Sequence, residues 1–157
     1  MRNFYAIGNI TKMIKITFPK KEVTVRQRAG VNELFDIIRK KWINFSPEEW
    51  VRQHMIHYLL SKKYPATLMA IEKQIKLGEL TKRCDIVVYS RNNTPFMIIE
   101  CKEMKVALSQ KALDQVLLYH SVIQAKYLII TNGVYCFGFQ KMNGQFSEID
   151  EFPEYSI

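Results

Sequence analysis

Two neighbouring apolar runs carry ionisable side chains where such runs rarely tolerate them. The first is Arg83-Cys84-Asp85-Ile86-Val87-Val88-Tyr89 and the second is Phe96-Met97-Ile98-Ile99-Glu100-Cys101-Lys102, with Arg91-Asn92-Asn93-Thr94-Pro95 between them. Short β-branched runs on either side of turn residues predict a strand, a turn and a returning strand. An isolated charge buried in such a strand costs several kcal/mol unless it is paired or bound to a metal. Side chains at i and i+2 share a face, so Glu100 and Lys102 project together while Cys101 faces away. Pairing through residues 91–95 brings Asp85 near Glu100. Two carboxylates are hard oxygen ligands for Mg²⁺ or Mn²⁺, and an adjacent ammonium can orient a water or help remove its proton. That is equipment for metal-assisted phosphodiester hydrolysis. A plain hairpin with a Glu–Lys pair at its exposed end has the same spacing, and spacing alone does not choose between the two.

The rest of the chain reads as alternating elements. Residues 13–18, 22–27 and 34–38 are short β-prone segments separated by Pro, Lys and Gly, and residues 39–45 continue them with Trp42, Ile43 and Phe45. They predict a small β-meander that covers one side of the core, or else a DNA-contacting extension using Arg26, Arg28, Arg39, Lys40 and Lys41. A helix is expected from Ser46, the N-cap, with Pro47 at its first position and Glu49 three residues after the cap. Trp50, Val51, Met55, Tyr58 and Leu59 recur at helical spacing to about Leu60. Residues 67–77 read as a strand with Met69, Ile71, Ile75 and Leu77 on one side and Glu72 and Gln74 on the other. Ser109 is expected to cap a second helix reaching about Gln124, with Leu113, Val116, Leu117 and Val122 as its apolar face. Gln115 and Tyr119, four apart, share a side of it. Residues 126–131, 134–140 and 145–149 read as strands joined at the turn signals Asn132-Gly133 and Asn143-Gly144. The tail from Glu148 onward is expected to pack on the core.

Composition limits the function classes. The 157 residues suit one domain with a proper core, and 23 Lys+Arg against 15 Asp+Glu give a net charge of +8, which favours polyanionic partners. Cys84, Cys101 and Cys136 form no C-x-x-C pair, so neither a disulfide framework nor a zinc ribbon is indicated and reduced cytosol fits. His54, His57 and His120 do not make H-E-x-x-H. No apolar stretch approaches the length of a membrane span, so a soluble, cytoplasmic protein is expected.

Resemblance narrows the reading. Asp85 followed by Glu100-Cys101-Lys102 at the end of an apolar strand resembles the signature of the PD-(D/E)XK nucleases, in which an Asp and a Glu bind metal and a Lys assists the water. More narrowly, the chain resembles the N-terminal nuclease domain of type I restriction enzyme R subunits. The matching elements are Ser46-Pro47-Glu48-Glu49-Trp50-Val51-Arg52-Gln53, Tyr64-Pro65, Ile71-Glu72-Lys73-Gln74-Ile75, Asp85-Ile86-Val87-Val88, Ile98-Ile99-Glu100-Cys101-Lys102, Gln115 with Tyr119, and Thr131-Asn132-Gly133, in the family's order.

The resemblance implies an α/β, restriction-endonuclease-like fold: a mixed sheet flanked by helices over residues 46–157, with residues 1–45 as an N-terminal β extension of one domain. It implies Mg²⁺, with Mn²⁺ as a substitute, held by Asp85 and Glu100, with the Cys101 carbonyl and Glu49 as further candidates. Glu49 is equally explained as a helix-capping residue. Lys102 would position or activate water, and Gln115 and Tyr119 would support it or contact nucleic acid near the site. DNA is the expected substrate, with restriction-modification subunits or a second copy as partners. No G-x-x-x-x-G-K-[ST] loop occurs, so no ATP site is expected. A catalytically silent nucleic-acid-binding or assembly module with the same fold is the alternative.

Overall fold

The structure is a computed structural model and describes residues 10–155; the N-terminal nine residues and the last two of the tail lie outside it. Its elements are β1 (Met13–Lys15), β2 (Val25–Arg28), β3 (Val31–Asp36), β4 (Lys41–Asn44), α1 (Pro47–Ser61), β5 (Met69–Leu77), β6 (Leu80–Tyr89), β7 (Pro95–Cys101), α2 (Gln110–Ile123), β8 (Tyr127–Thr131), β9 (Tyr135–Met142) and β10 (Gln145–Ile149), with a 3₁₀ turn at Ala66–Leu68 before β5. A seven-stranded sheet runs β1-β9-β8-β7-β6-β5, and β10 pairs with β9 beyond β1.

β7 and β8 are parallel, joined by α2, while the other pairs are antiparallel. A parallel pair needs a crossover, and α2 supplies it. Both faces of the central strands are covered, so β7 is a continuous apolar run. Ile86, Val88, Met97 and Ile99 pack on the α1 side with Val51, Met55, Ile56 and Leu59. Val87, Ile98, Leu128 and Ile130 pack on the α2 side with Leu113, Val116 and Leu117. Glu100, one step beyond Ile99, therefore leaves β7 toward α2.

Several expectations are corrected. Residues 13–15 do not belong to an N-terminal meander: β1 pairs with β9 in the main sheet. The meander is β2-β3-β4, a separate three-stranded sheet. On α2, Val122 is exposed and Ile123 is the buried residue; Gln124 ends the helix in the left-handed conformation. Ser109 has extended N-cap backbone without a side-chain cap bond. The expected single apolar side of residues 67–77 is broken. Met69 and Ile71 pack on the α1 side, whereas Ile75 packs on the α2 side. The break falls at Glu72, whose φ is +50°. Pairing of β5 with β6 runs from Ile71↔Ile86 to Lys73↔Cys84 and omits Glu72 and Asp85. A left-handed, non-glycine residue is strained, and two strands lose their alternation at the same point.

Leu34 is fully buried in β3, and β3 contacts α1, so the small sheet is anchored to the rest of the fold. Leu34→Ala should therefore destabilise the protein by about 2–5 kcal/mol in urea unfolding. A loss below about 1 kcal/mol, the scale of surface changes, would show that the small sheet packs independently.

Candidate functional site

α1 starts as its residues dictate. Ser46 is extended, Pro47 takes the first helical position, and the Glu49 N–H donates to Ser46 Oγ at 3.0 Å. The Glu49 carboxylate does something else. It accepts from Arg52 Nη1 and from Gln53 Nε2 at 2.9 Å, and Arg39 Nη2 lies 3.5 Å away.

Asp85, in the break of β6, is buried and held twice: Oδ1 accepts from Arg52 Nη2 at 2.6 Å, and Oδ2 accepts from the Cys101 N–H at 2.7 Å. That second bond ties β6 to the end of β7 and places Asp85 beside Glu100, as the hairpin spacing predicted. A carboxylate accepts at about four lone-pair positions, so Asp85 retains capacity for another partner.

Glu100 Oε1 accepts from Lys102 Nζ at 2.8 Å, but its buried Oε2 has no partner. Burial first, and the Asp85 charge second, push the Glu100 carboxyl up to about 8 against the pull of Lys102. Burial works to lower the Lys102 pKa, but the Glu100 contact outweighs it and raises it. Lys102 also donates to Gln115 Oε1 at 3.0 Å, which forces the Gln115 amide to present Nε2 to the Tyr119 hydroxyl oxygen at 2.6 Å. Burial is the main reason that the Tyr119 phenol is pushed up to about 12.

The structure thus brings Asp85, Glu100, Lys102, Gln115 and Tyr119 into one constellation, with Cys101 contributing its N–H and turning its buried thiol away. Glu49 does not join it directly, because the Arg52 guanidinium stands between Glu49 and Asp85. Its neighbour Glu48 faces the site instead: burial, then the Asp85 charge, raise its pKa, and Arg52 Nη2 lies 3.5 Å from it.

Asp36, Arg39, Arg52, Glu72 and Arg83 complete the surroundings. Arg39 reaches Asp36 at 2.6 Å and Glu72 at 2.5 Å, and Arg52 reaches Glu72 at 3.5 Å. Exposed Arg83 lies 3.7 Å from Glu72. Arg39 is therefore spent inside the protein and is no DNA contact of the extension; Arg26 is likewise paired with Glu33 and stacked on Trp42, while Arg28, Lys40 and Lys41 are exposed. The signal for Arg52 was present as the Glu48/Arg52 and Glu49/Arg52 helical spacings, but such pairs ordinarily sit on a helix surface.

Six carboxylates (Asp36, Glu48, Glu49, Glu72, Asp85 and Glu100) meet four basic side chains (Arg39, Arg52, Arg83 and Lys102) across this region. A chain with a net charge of +8 is locally short of cations, and an unpartnered buried carboxylate oxygen marks the place. Among the described residues no three His, Cys, Asp or Glu side chains form a metal cage. Two carboxylates suit Mg²⁺, which keeps several waters and commonly uses one or two protein carboxylates together with substrate phosphate.

A profile of the family described as "Type I restriction enzyme R protein N terminus (HSDR_N)" matches residues 47–153. The chain belongs to this family. Its fold is restriction-endonuclease-like, a mixed sheet between helices. A solved fragment assigned to the HsdR subunit of a type I restriction enzyme from Vibrio vulnificus superposes with a TM-score of 0.53 at 16% identity, covering 68% of this chain. The chain spans 23% of that structure's length. No curated protein sequence matches. As an R-protein N-terminal module, the domain is restriction-subunit-like and nuclease-related. Among the described residues no helix is long and apolar enough to cross a membrane.

The Glu100 environment sets a pH dependence. A glutamate in an unfolded chain titrates near about 4.3. Between there and about 8 the native state keeps a proton that the unfolded state has lost, so stability falls as pH rises through this window and then levels off. Glu100→Gln removes that slope. In chelator-treated buffer its melting temperature should match the parent's at about pH 4 and exceed it by several degrees at about pH 9, by this linkage. Parallel melting curves across the range would mean that Glu100 ionises in the native state without cost.

Proposed function

We propose that this domain hydrolyses DNA phosphodiesters with Mg²⁺, Mn²⁺ substituting, as the nuclease module of a restriction-type system. The observation that carries the reading is the buried, unpartnered Glu100 Oε2 beside Asp85, in a region where carboxylates outnumber cations. Asp85 and Glu100 would hold the ion, with Glu48 within reach of the same field. Bound there, the ion would supply charge stabilisation for the reacting phosphate and acidify water.

The chain's own groups divide the remaining work. The Cys101 N–H and Arg52 fix the Asp85 carboxylate in one orientation. Lys102 has three N–H donors; Glu100 and Gln115 take two, and the third is free for an attacking water or a phosphate oxygen. Gln115, oriented by Tyr119, keeps the ammonium aimed. The Cys101 carbonyl remains a further candidate ligand. DNA is the polyanion that a net charge of +8 favours, and restriction-modification subunits or a second copy of the chain are the protein partners the family suggests.

One observation favours a second reading. Arg52 already sits 2.6 Å from Asp85, so the site is partly neutralised by protein alone, as in a silent DNA-binding module. Calorimetric titration with Mn²⁺ separates them. The parent should bind the ion, Asp85→Ala should lose that binding, and Lys102→Ala should keep it while losing cleavage of DNA. Metal heat unchanged by Asp85→Ala would sink the assigned centre, and binding without cleavage of any DNA form would establish the silent module.

DNA affinity should also fall steeply with salt, as counterion release requires. Lys82 and Arg83 are exposed on β6 next to Asp85. Lys62 and Lys63 lie past the far end of α1, about 20 Å away along a helix of this length. Neutralising Lys82 and Arg83 should weaken binding more than neutralising Lys62 and Lys63. Equal losses would mean that net charge alone drives association.

A further inference from the structure

An apolar groove of about 600 Å³ lies against the site and is lined by Phe45, Pro47, Trp50, Glu103, Met104 and Lys105. Its two walls are continuous with the constellation above: Glu103 follows Lys102 directly, and Glu48 stands between Pro47 and the rest of α1. Phe45 is 45% exposed and Met104 49%. Two large apolar side chains left open to water beside a charged centre call for an occupant.

The groove is built to stack. Trp50 and Phe45 have ring centroids 6.2 Å apart, tilted by 51°. Behind Trp50, His54 packs at 4.2 Å, donates from Nδ1 to the Trp50 carbonyl at 2.8 Å, and rests in turn on Phe18 at 5.2 Å. The indole is therefore held by its neighbours before anything binds. Glu103 and Lys105 are the groove's charged residues, and among the described residues neither makes an ion pair. An ammonium suits a phosphate, and a carboxylate suits the donor edge of a base.

We infer that this groove receives one unstacked nucleoside of the DNA strand whose neighbouring phosphate lies at Asp85, Glu100 and Lys102, its base against Trp50 and Phe45 and its outer phosphate near Lys105. The occupant follows from continuity with the proposed centre and from charge: a ligand spanning both must be anionic at Lys102 and Lys105 and apolar and flat between them. The inference rests on the DNA-directed part of the function proposed above and adds the subsite next to the cut.

Binding without metal tests it. In a Trp42→Phe background Trp50 is the remaining tryptophan, since the chain has two. Oligothymidylate of about 12 nucleotides, within the site sizes of single-strand binders, is titrated in chelator-treated, low-salt buffer against an abasic deoxyribose-phosphate strand of equal length. The base-bearing strand should quench Trp50 and bind more tightly, by about 5- to 150-fold for a single stacked base. The abasic strand should bind with little quenching. Trp50→Ala, read by anisotropy of labelled strand, should abolish the difference between the strands while leaving the salt slope unchanged, because no phosphate contact is lost. Phe45→Ala, at an exposed position, should shrink the difference with an unchanged melting temperature.

Equal binding of both strands by the parent, or a difference that survives both substitutions, overturns the inference. If Mg²⁺-dependent cleavage is present with no base discrimination, the nuclease reading stands and the groove is excluded as a base site. If discrimination is present without cleavage, the subsite stands on a DNA-binding module. If neither strand binds, the DNA-directed reading and the subsite fall together.

Discussion

The contact on which the rest depends is the buried guanidinium of Arg52, which spans Glu49 on its own helix and Asp85 in β6. It fastens the start of α1 to the interior of the sheet and fixes one of the two carboxylates of the site. A planar fork with separate nitrogens can serve two carboxylates at once, and a lysine ammonium in its place could not do so with the same geometry. Burial adds to the consequence. Removing one partner of a buried ion pair leaves an uncompensated charge, typically at a cost of about 3–5 kcal/mol. The acids of the candidate site and the base that joins helix to sheet thus form one cluster.

Near and far electrostatics point in opposite directions here. Over the whole chain Lys and Arg exceed Asp and Glu by eight, a field that attracts a polyanion. Around Asp85 and Glu100 the balance reverses, and Glu100 responds by holding its proton more tightly. A polyanion attracted by the first field would meet local negative charge at this centre, which the Lys102 ammonium offsets in part. Local negative charge inside a positive protein is the electrostatic form expected of a site that binds metal and nucleic acid together.

Backbone strain serves this arrangement. Glu72 sits at φ +50° inside β5, opposite Asp85, and its carboxylate reaches Arg39 and lies near Arg52 and Arg83. The two strands lose regular pairing at the one level where both carry an acid. Regular alternation would have kept Ile71 and Ile75 on one face and left less freedom for the acids between the strands. Strain of this kind persists where surrounding contacts over-determine it, and three arginines supply those contacts.

The residues alone determined the local elements. Ser46-Pro47 with Glu49 begins α1, the apolar runs make β6, β7 and β8, and the i, i+2 spacing of Glu100 and Lys102 puts both on one face. The juxtaposition of Asp85 with Glu100, and of Gln115 with Tyr119, followed from the same short-range periodicities, because a hairpin and a helix each repeat over a few residues. Tertiary structure decided what crosses from one element to another. Sequence spacing could not show that Glu49 turns to arginines while Glu48 faces Asp85, since adjacent helical residues differ by about 100° in direction and only packing says which direction is occupied. Nor could it show that Met13–Lys15 crosses to β9, that Arg39 is consumed by Asp36 and Glu72, or that alternation fails at Glu72. Each of those depends on partners far along the chain, and a local pattern carries no information about which distant surface will supply the compensating charge.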